Sequence, residues 1–238
     1  MIFEIRTAVV IVGGEGSRLA PLTKDMPKTL VEVSGKPLLY WIIRWLKKYG
    51  ITHLVLGVSY KKEKIYEYMK ENDNFGLEVD ISEHTIEGGT AEAFGLAIKR
   101  FVKDDAFVAM NGDELTNLNL ENMKALYFKY KPIVTMALSP FPCRFSVVKF
   151  DSSNTVTSFE YGKKLNAIPI SIGVYIFDKK IIDFIPSSGS IENTTFAELI
   201  NSGKIKGKMI SGDEEWISIN TPKDVKEAEK IPQTWMQI

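Results

Sequence analysis

The sequence predicts an α/β fold: a doubly wound, mostly parallel sheet, with a smaller β-rich lobe added past its midpoint. Three observations carry that expectation. A β-branched run at residues 7–12 stops at Gly13-Gly14, as a strand buried on both faces and ended by a turn would. Strand-length apolar runs then alternate with helix-length segments as far as residue 137, and that rhythm gives parallel strands with helices on both faces. From about residue 145 the strands crowd together with turn-forming residues between them, a spacing that antiparallel pairing permits.

Each element follows in order. The helix at 38–48 carries Leu38, Ile42, Trp45 and Leu46 on one face, and Gly50 lies just past its end. A strand at 53–58 leads to a charged helix at 61–70, whose opening Lys61-Lys62-Glu63-Lys64 reads as a solvated surface. Strand 77–81, helix 90–101, strand 106–110, helix 120–130 and strand 132–137 continue the alternation. The β-rich stretch has runs at 146–150, 155–159 and 170–177, with Asp151-Ser152-Ser153-Asn154 as its first turn. Helices at 179–184 and 191–201, a strand pair, and a last helix after Thr221-Pro222 complete the chain, proline suiting a first helical turn. No repeat, low-complexity tract or long linker divides the 238 residues, so one domain of two halves is expected, 1–140 and 141–238.

Composition narrows the function. Thirty Lys and Arg balance thirty Asp and Glu, which argues against nucleic acid or an anionic membrane as partner, since both call for a basic excess. The lone Cys143 has no intramolecular disulfide partner and suits a reducing compartment. The N-terminal apolar run is broken by Arg6 and is too short to span a bilayer. A cytoplasmic protein is expected. His53 and His84 have no cysteine or acid at metal-ligand spacing, so no zinc site is expected. Trp41 and Trp45, one helical turn apart, read as core or as a subunit contact; a homo-oligomer is left open.

The most informative stretch is the loop Gly13-Gly14-Glu15-Gly16-Ser17-Arg18-Leu19. Glycines let a ligand approach the backbone, whose amides can line an anion-binding hollow. The loop falls at the C-terminal end of a strand, where open α/β sheets bind ligands. It is neither of two familiar phosphate loops, because Leu19 stands where a dinucleotide fingerprint has its third glycine, Pro21 follows, and no Gly-Lys-Ser/Thr is present. Instead come Pro21-Leu22-Thr23, then Pro27-Lys28-Thr29-Leu30, then Gly35-Lys36-Pro37-Leu38-Leu39, a segment stiffened by its prolines.

In this register the sequence resembles the signature of the sugar-1-phosphate nucleotidylyltransferases, which make nucleotide sugars. The likeness continues through Gly88-Gly89-Thr90-Ala91 and Asn111-Gly112-Asp113 and, more weakly, to Thr221-Pro222. It implies a Rossmann-like nucleotidyltransferase fold with a β-rich sugar-binding lobe and, as the chain ends at Ile238, no appended β-helix domain. It also implies the reaction: a sugar 1-phosphate oxygen attacks the α-phosphorus of a nucleoside triphosphate and pyrophosphate leaves, with Mg²⁺ as cofactor. Such chemistry needs no protein nucleophile, only positioning and charge stabilisation.

The resemblance further implies roles. Val12, Gly13, Gly14, Gly16 and Ser17 would wrap the nucleotide, with Arg18 on its outer phosphates, where a planar guanidinium binds oxygens two at a time. Lys28 would sit between the α-phosphate and the sugar phosphate. Glu83, Gly88, Gly89 and Thr90 would lie against the base, Thr90 doubling as a helix cap. Asp113 would hold Mg²⁺, which needs few carboxylates beyond substrate phosphates. Asn111, Gly112, Glu160, Lys163, Ser171 and Gly173 would form the sugar side.

This chain departs from the family on that side. Glu160 is followed by Tyr161-Gly162 rather than Lys-Pro, Ser171-Ile172-Gly173 replaces Asn-Ala-Gly, and Ser190-Ile191-Glu192-Asn193-Thr194 replaces an acidic Ser-Leu-Glu-x-Asp stretch. In Trp216-Ile217-Ser218-Ile219, Ser218 takes the place of a second metal-binding Asp. Strand alternation turns Ser218 and Asn220 toward the cleft. An alternative function follows from that erosion: a non-catalytic, nucleotide-binding regulatory homologue.

Overall fold

The structure is a computed structural model that describes residues 4–143, 145–162 and 164–230. Strand β1 (Thr7–Ile11) is followed by a short hairpin, β2 (Glu32–Val33) and β3 (Lys36–Pro37), and then by α1 (Leu38–Lys48). Next come β4 (His53–Val58), α2 (Lys62–Glu71), β5 (Glu78–Glu83), α3 (Gly89–Phe101) and β6 (Ala106–Asn111). After β7 (Glu114–Thr116) and α4 (Leu120–Tyr130), β8 (Val134–Pro142), β9 (Val147–Phe150), β10 (Val156–Glu160) and β11 (Lys164–Asp178) follow. The chain then runs through α5 (Ala197–Asn201), β12 (Ile205–Met209), β13 (Trp216–Ser218) and α6 (Pro222–Ala228).

Seven strands form the central sheet in the order β12-β8-β11-β6-β1-β4-β5. Of these only β11 runs against its neighbours. Alternation along β1 divides the core in two. Ala8 and Val10 pack on one side with Leu39, Ile42 and Leu46 of α1, whereas Val9 packs on the other with Phe94 and Ala97 of α3. That is the double winding the strand–helix rhythm predicted, and the central strands β1, β4 and β6 are almost wholly buried because both faces are covered. Trp41 and Trp45 donate their indole N–H groups to Val33 O at 2.9 Å and Leu118 O at 3.0 Å, tying α1 to β2 and to the loop before α4.

Several local expectations are corrected. The segment 191–201 is not one regular helix but a π-turn, Glu192–Phe196, running into α5, and Lys179–Phe184 is 3₁₀. Strands β12 and β13 do not pair with each other; β12 joins β8 in parallel, and β13 pairs antiparallel with β7. Thr90 does not cap α3, which starts at Gly89. Its hydroxyl instead accepts from Ile191 N at 2.9 Å and donates to Glu192 at 3.1 Å. Thr221 does cap α6, exchanging hydrogen bonds with Asp224 in a capping box with Pro222 at the first turn. Among the described residues no helix is long and apolar enough to cross a membrane.

Candidate active site

β1 and β6 run side by side, with Ile11 opposite Asn111, and the next parallel strand after each lies on the opposite flank, β4 beyond β1 and β8 beyond β6. A ligand cleft is expected at such a switch point. The structure has one there, of about 330 Å³, lined by the glycine loop, Lys28, Thr90, the Asn111–Asp113 turn and Asn220. Gly112 N donates to Ile11 O at 2.8 Å and Val12 N to Gly57 O at 2.8 Å, so both loops start from fixed backbone. In the glycine loop, the amides of residues 14–18 donate to no acceptor among the described residues. Gly16 makes that conformation attainable: its φ is +64°, and a Cβ would lie 3.0 Å from the side chains of Lys28 and Thr23. Thr23 Oγ1 donates to Gly16 O at 2.8 Å and holds the loop closed.

The charged groups converge from distant parts of the chain. Lys28 follows Pro27 in a 3₁₀ turn and is 8% exposed, unusual for a lysine. Its Nζ donates to Asp113 Oδ2 at 2.5 Å and to Asn220 Oδ1 at 2.8 Å. Arg18 donates to the same Asn220 oxygen at 2.7 Å. Two cations and one carboxylate thus face the cleft, beside unengaged amides and the N-terminal turn of α3, all of which favour an anionic ligand. Asp113 is fixed from behind, its carbonyl accepting from Ile219 N at 2.9 Å.

Sequence-predicted residues divide clearly. Val12, Gly14, Gly16, Ser17, Arg18, Lys28, Thr90, Asn111, Gly112 and Asp113 all line the cleft. Gly173 backs onto it, with a φ of +68° and a would-be Cβ 2.9 Å from Asn111 Nδ2, so only glycine fits. Gly13 packs behind the loop against Ser59 and His84, and Gly88 accepts from Gly189 N at 2.9 Å beside Gly89. Glu83 is not brought to the cleft lining; it accepts from Lys62 at 2.5 Å and Tyr66 at 2.9 Å. Ser171 shares a 3.2 Å hydrogen bond with Tyr175, and Glu160 is exposed on the separate β9–β10 sheet. Lys163 lies outside the described residues.

Three residues escape the motif reading. His84 donates from Nδ1 to Thr85 O at 2.9 Å, while Nε2 is buried beside Gly13 with no partner among the described residues. His53 meets Glu78 and Asp80 within 4.8 Å, a grouping made by strand pairing that its sequence spacing does not reveal. That group lies at the N-terminal ends of β4 and β5, at the far edge of the sheet from the cleft. Glu114 is the third. It is 7% exposed, and accepts from Trp216 Nε1 at 2.6 Å and Ser218 Oγ at 3.1 Å.

Burial first, and the Asp113 charge second, push the Glu114 carboxyl up to about 8. The folded chain therefore holds a proton that the unfolded chain, titrating near 4.5, releases. The stability linked to this proton is complete below the unfolded value and is lost as pH rises through about 8. Without divalent ions, thermal stability should fall between about pH 5 and pH 8, by on the order of 2–4 kcal/mol. Glu114→Gln should flatten that fall; parallel melting curves for the two proteins would show that Glu114 is not its source.

The sequence matches the nucleotidyl transferase family over residues 7–233. It is 33% identical to the bifunctional protein GlmU of Methanocaldococcus jannaschii over 230 residues, 94% of this chain and 53% of that protein, so the chain spans about half of that relative's length. It is 32% identical to the D-glycero-alpha-D-manno-heptose 1-phosphate guanylyltransferase of Campylobacter jejuni, covering 91% of this chain and 96% of that one. Among solved structures, HddC of Yersinia pseudotuberculosis superposes with a TM-score of 0.72 at 26% identity, over 94% and 98% of the two chains. With a family match over residues 7–233 and relatives of this kind, the chain belongs to the sugar-1-phosphate nucleotidyltransferase family.

Proposed function

We propose that the protein transfers a nucleoside monophosphate from a nucleoside triphosphate to a sugar 1-phosphate, releasing pyrophosphate, in the cytoplasm. The observation that carries this reading is the convergence of Arg18, Lys28, Asp113 and the loop amides on one cleft. The sugar phosphate is already an anion, so the groups that matter are fixed donors and cations around the phosphoryl oxygens. The amides of residues 14–18 and the Arg18 fork bind the triphosphate. Lys28, deeper in the cleft, carries its charge to the oxygens where negative charge moves. Residues 1–140 hold the nucleotide and 141–238 the sugar.

The donor set suits Mg²⁺, since an oxygen ligand lies at the cleft surface in an otherwise cationic site, and magnesium takes few carboxylates when phosphates supply the remainder. Asp113 would hold it. When bound, the ion would neutralise phosphate charge beyond what the two side chains supply. Ser218 does not empty the site of its acid chemistry, because Asp113 remains and Asn220 offers a neutral oxygen where the cations need one.

Pyrophosphate release from a panel of triphosphates paired with sugar 1-phosphates tests the reading. Release that requires both substrates supports it. Nucleotide binding without release from any pair would favour the regulatory homologue instead.

A further inference from the structure

Asn220 holds a position that nothing else in the cleft fills. Its Oδ1 accepts from Arg18 at 2.7 Å and from Lys28 at 2.8 Å, so one neutral oxygen braces two cations that arise ten residues apart in the chain. On its other side Nδ2 donates to Ser218 Oγ at 2.6 Å. Ser218 in turn lies 3.1 Å from Glu114 Oε1, and Glu114 Oε2 is taken by the Trp216 indole, which can only donate. An amide N–H also only donates, so Ser218 Oγ must accept from Asn220, whichever way the proton lies between Ser218 and Glu114. The carboxamide therefore has one satisfied orientation, with its oxygen toward the cations.

We propose that Ser218, anchored on Glu114, fixes the carboxamide of Asn220 so that its oxygen positions Arg18 and Lys28 for phosphate. Asn220 and Ser218 are positioning residues, and the ligand they serve is a polyphosphate. A carboxylate at 220 would brace the same cations without needing orientation, because its two oxygens are alike. It would also cancel one positive charge that a polyphosphate would otherwise meet. The neutral amide keeps both charges at the cost of needing a partner to orient it, and Ser218 is that partner. The inference rests on the cleft being a phosphate site, as proposed above.

The test is a double-mutant cycle read by calorimetric binding of inorganic pyrophosphate in EDTA, which needs no base, sugar, metal or turnover. Ser218→Ala should weaken binding about tenfold in the native background and by less than about twofold in the Asn220→Asp background. Ser218→Cys, nearly isosteric but a weak acceptor, should behave like the alanine, and Ser218→Thr should restore native affinity. Equal losses in the two backgrounds, or no loss on Ser218→Ala, would overturn the proposal, as would a native protein that binds no pyrophosphate. Should Ser218→Ala not fold, the cysteine variant is read in both backgrounds with the same criteria. Pyrophosphate binding with the expected coupling but no nucleotidyl transfer would sink the proposed function and leave this inference standing.

Discussion

Lys28→Ala is expected to lower kcat by about 10²–10³ while changing nucleotide affinity far less. The ammonium is almost fully buried at the base of the cleft, held by Asp113 and Asn220, and so has one place to be. A charge fixed in a partly dry site acts strongly on oxygens that gain charge during the reaction, and reorganises little as they do. Arg18 and the loop amides remain in the variant, so the triphosphate still finds most of its partners. Steady-state kinetics beside nucleotide binding would separate the two effects. An unchanged kcat in an active preparation would remove Lys28 from the mechanism.

Asp113→Asn is expected to abolish magnesium-dependent turnover while the fold persists. The variant keeps an oxygen for Lys28 and leaves the Asp113 backbone bond to Ile219 untouched. It loses the only acidic side chain that lines the cleft among the described residues, and with it the charge that attracts a divalent ion. A second consequence concerns its neighbour. The Asp113 charge helps raise the Glu114 carboxyl, so Asp113→Asn should bring that titration down and shift the pH dependence of melting toward acid. Retention of the magnesium response would place the metal elsewhere.

Most of the cleft lining was legible because its sequence signal is local. Gly13 to Arg18, Pro27-Lys28 and Asn111 to Asp113 are short runs whose residue types are tied to backbone conformation and to phosphate. The double winding was legible for a similar reason, since buried parallel strands are continuous apolar runs. What stayed hidden depends on pairing across the chain. Glu114 and Thr116 look like loop residues, yet they form β7 because Trp216 and Ser218 arrive a hundred residues later to pair with them. That pairing, with Gly173 packed on the other side, buries Glu114 and brings the Ser218 hydroxyl to it.

Read alone, Ser218 is a lost metal ligand, and Ser218→Asp looks like a repair. In the fold a carboxylate there would face Glu114, and Asn220 is the residue that lines the cleft. Glu83 is a smaller case: it ends β5 with its carboxylate held by Lys62 and Tyr66 and is not part of the cleft lining.

The central claim is that phosphorus chemistry occurs at the α-position, with a sugar phosphate as the attacking group. Its most direct test follows the label from a triphosphate carrying ³²P at either the α- or the γ-phosphorus, with an accepting sugar 1-phosphate and Mg²⁺ present. The account predicts that α-label appears in the nucleotide sugar and γ-label in pyrophosphate. Transfer of γ-label to the sugar, or its release as orthophosphate with the α-label left in a nucleoside diphosphate, would contradict it.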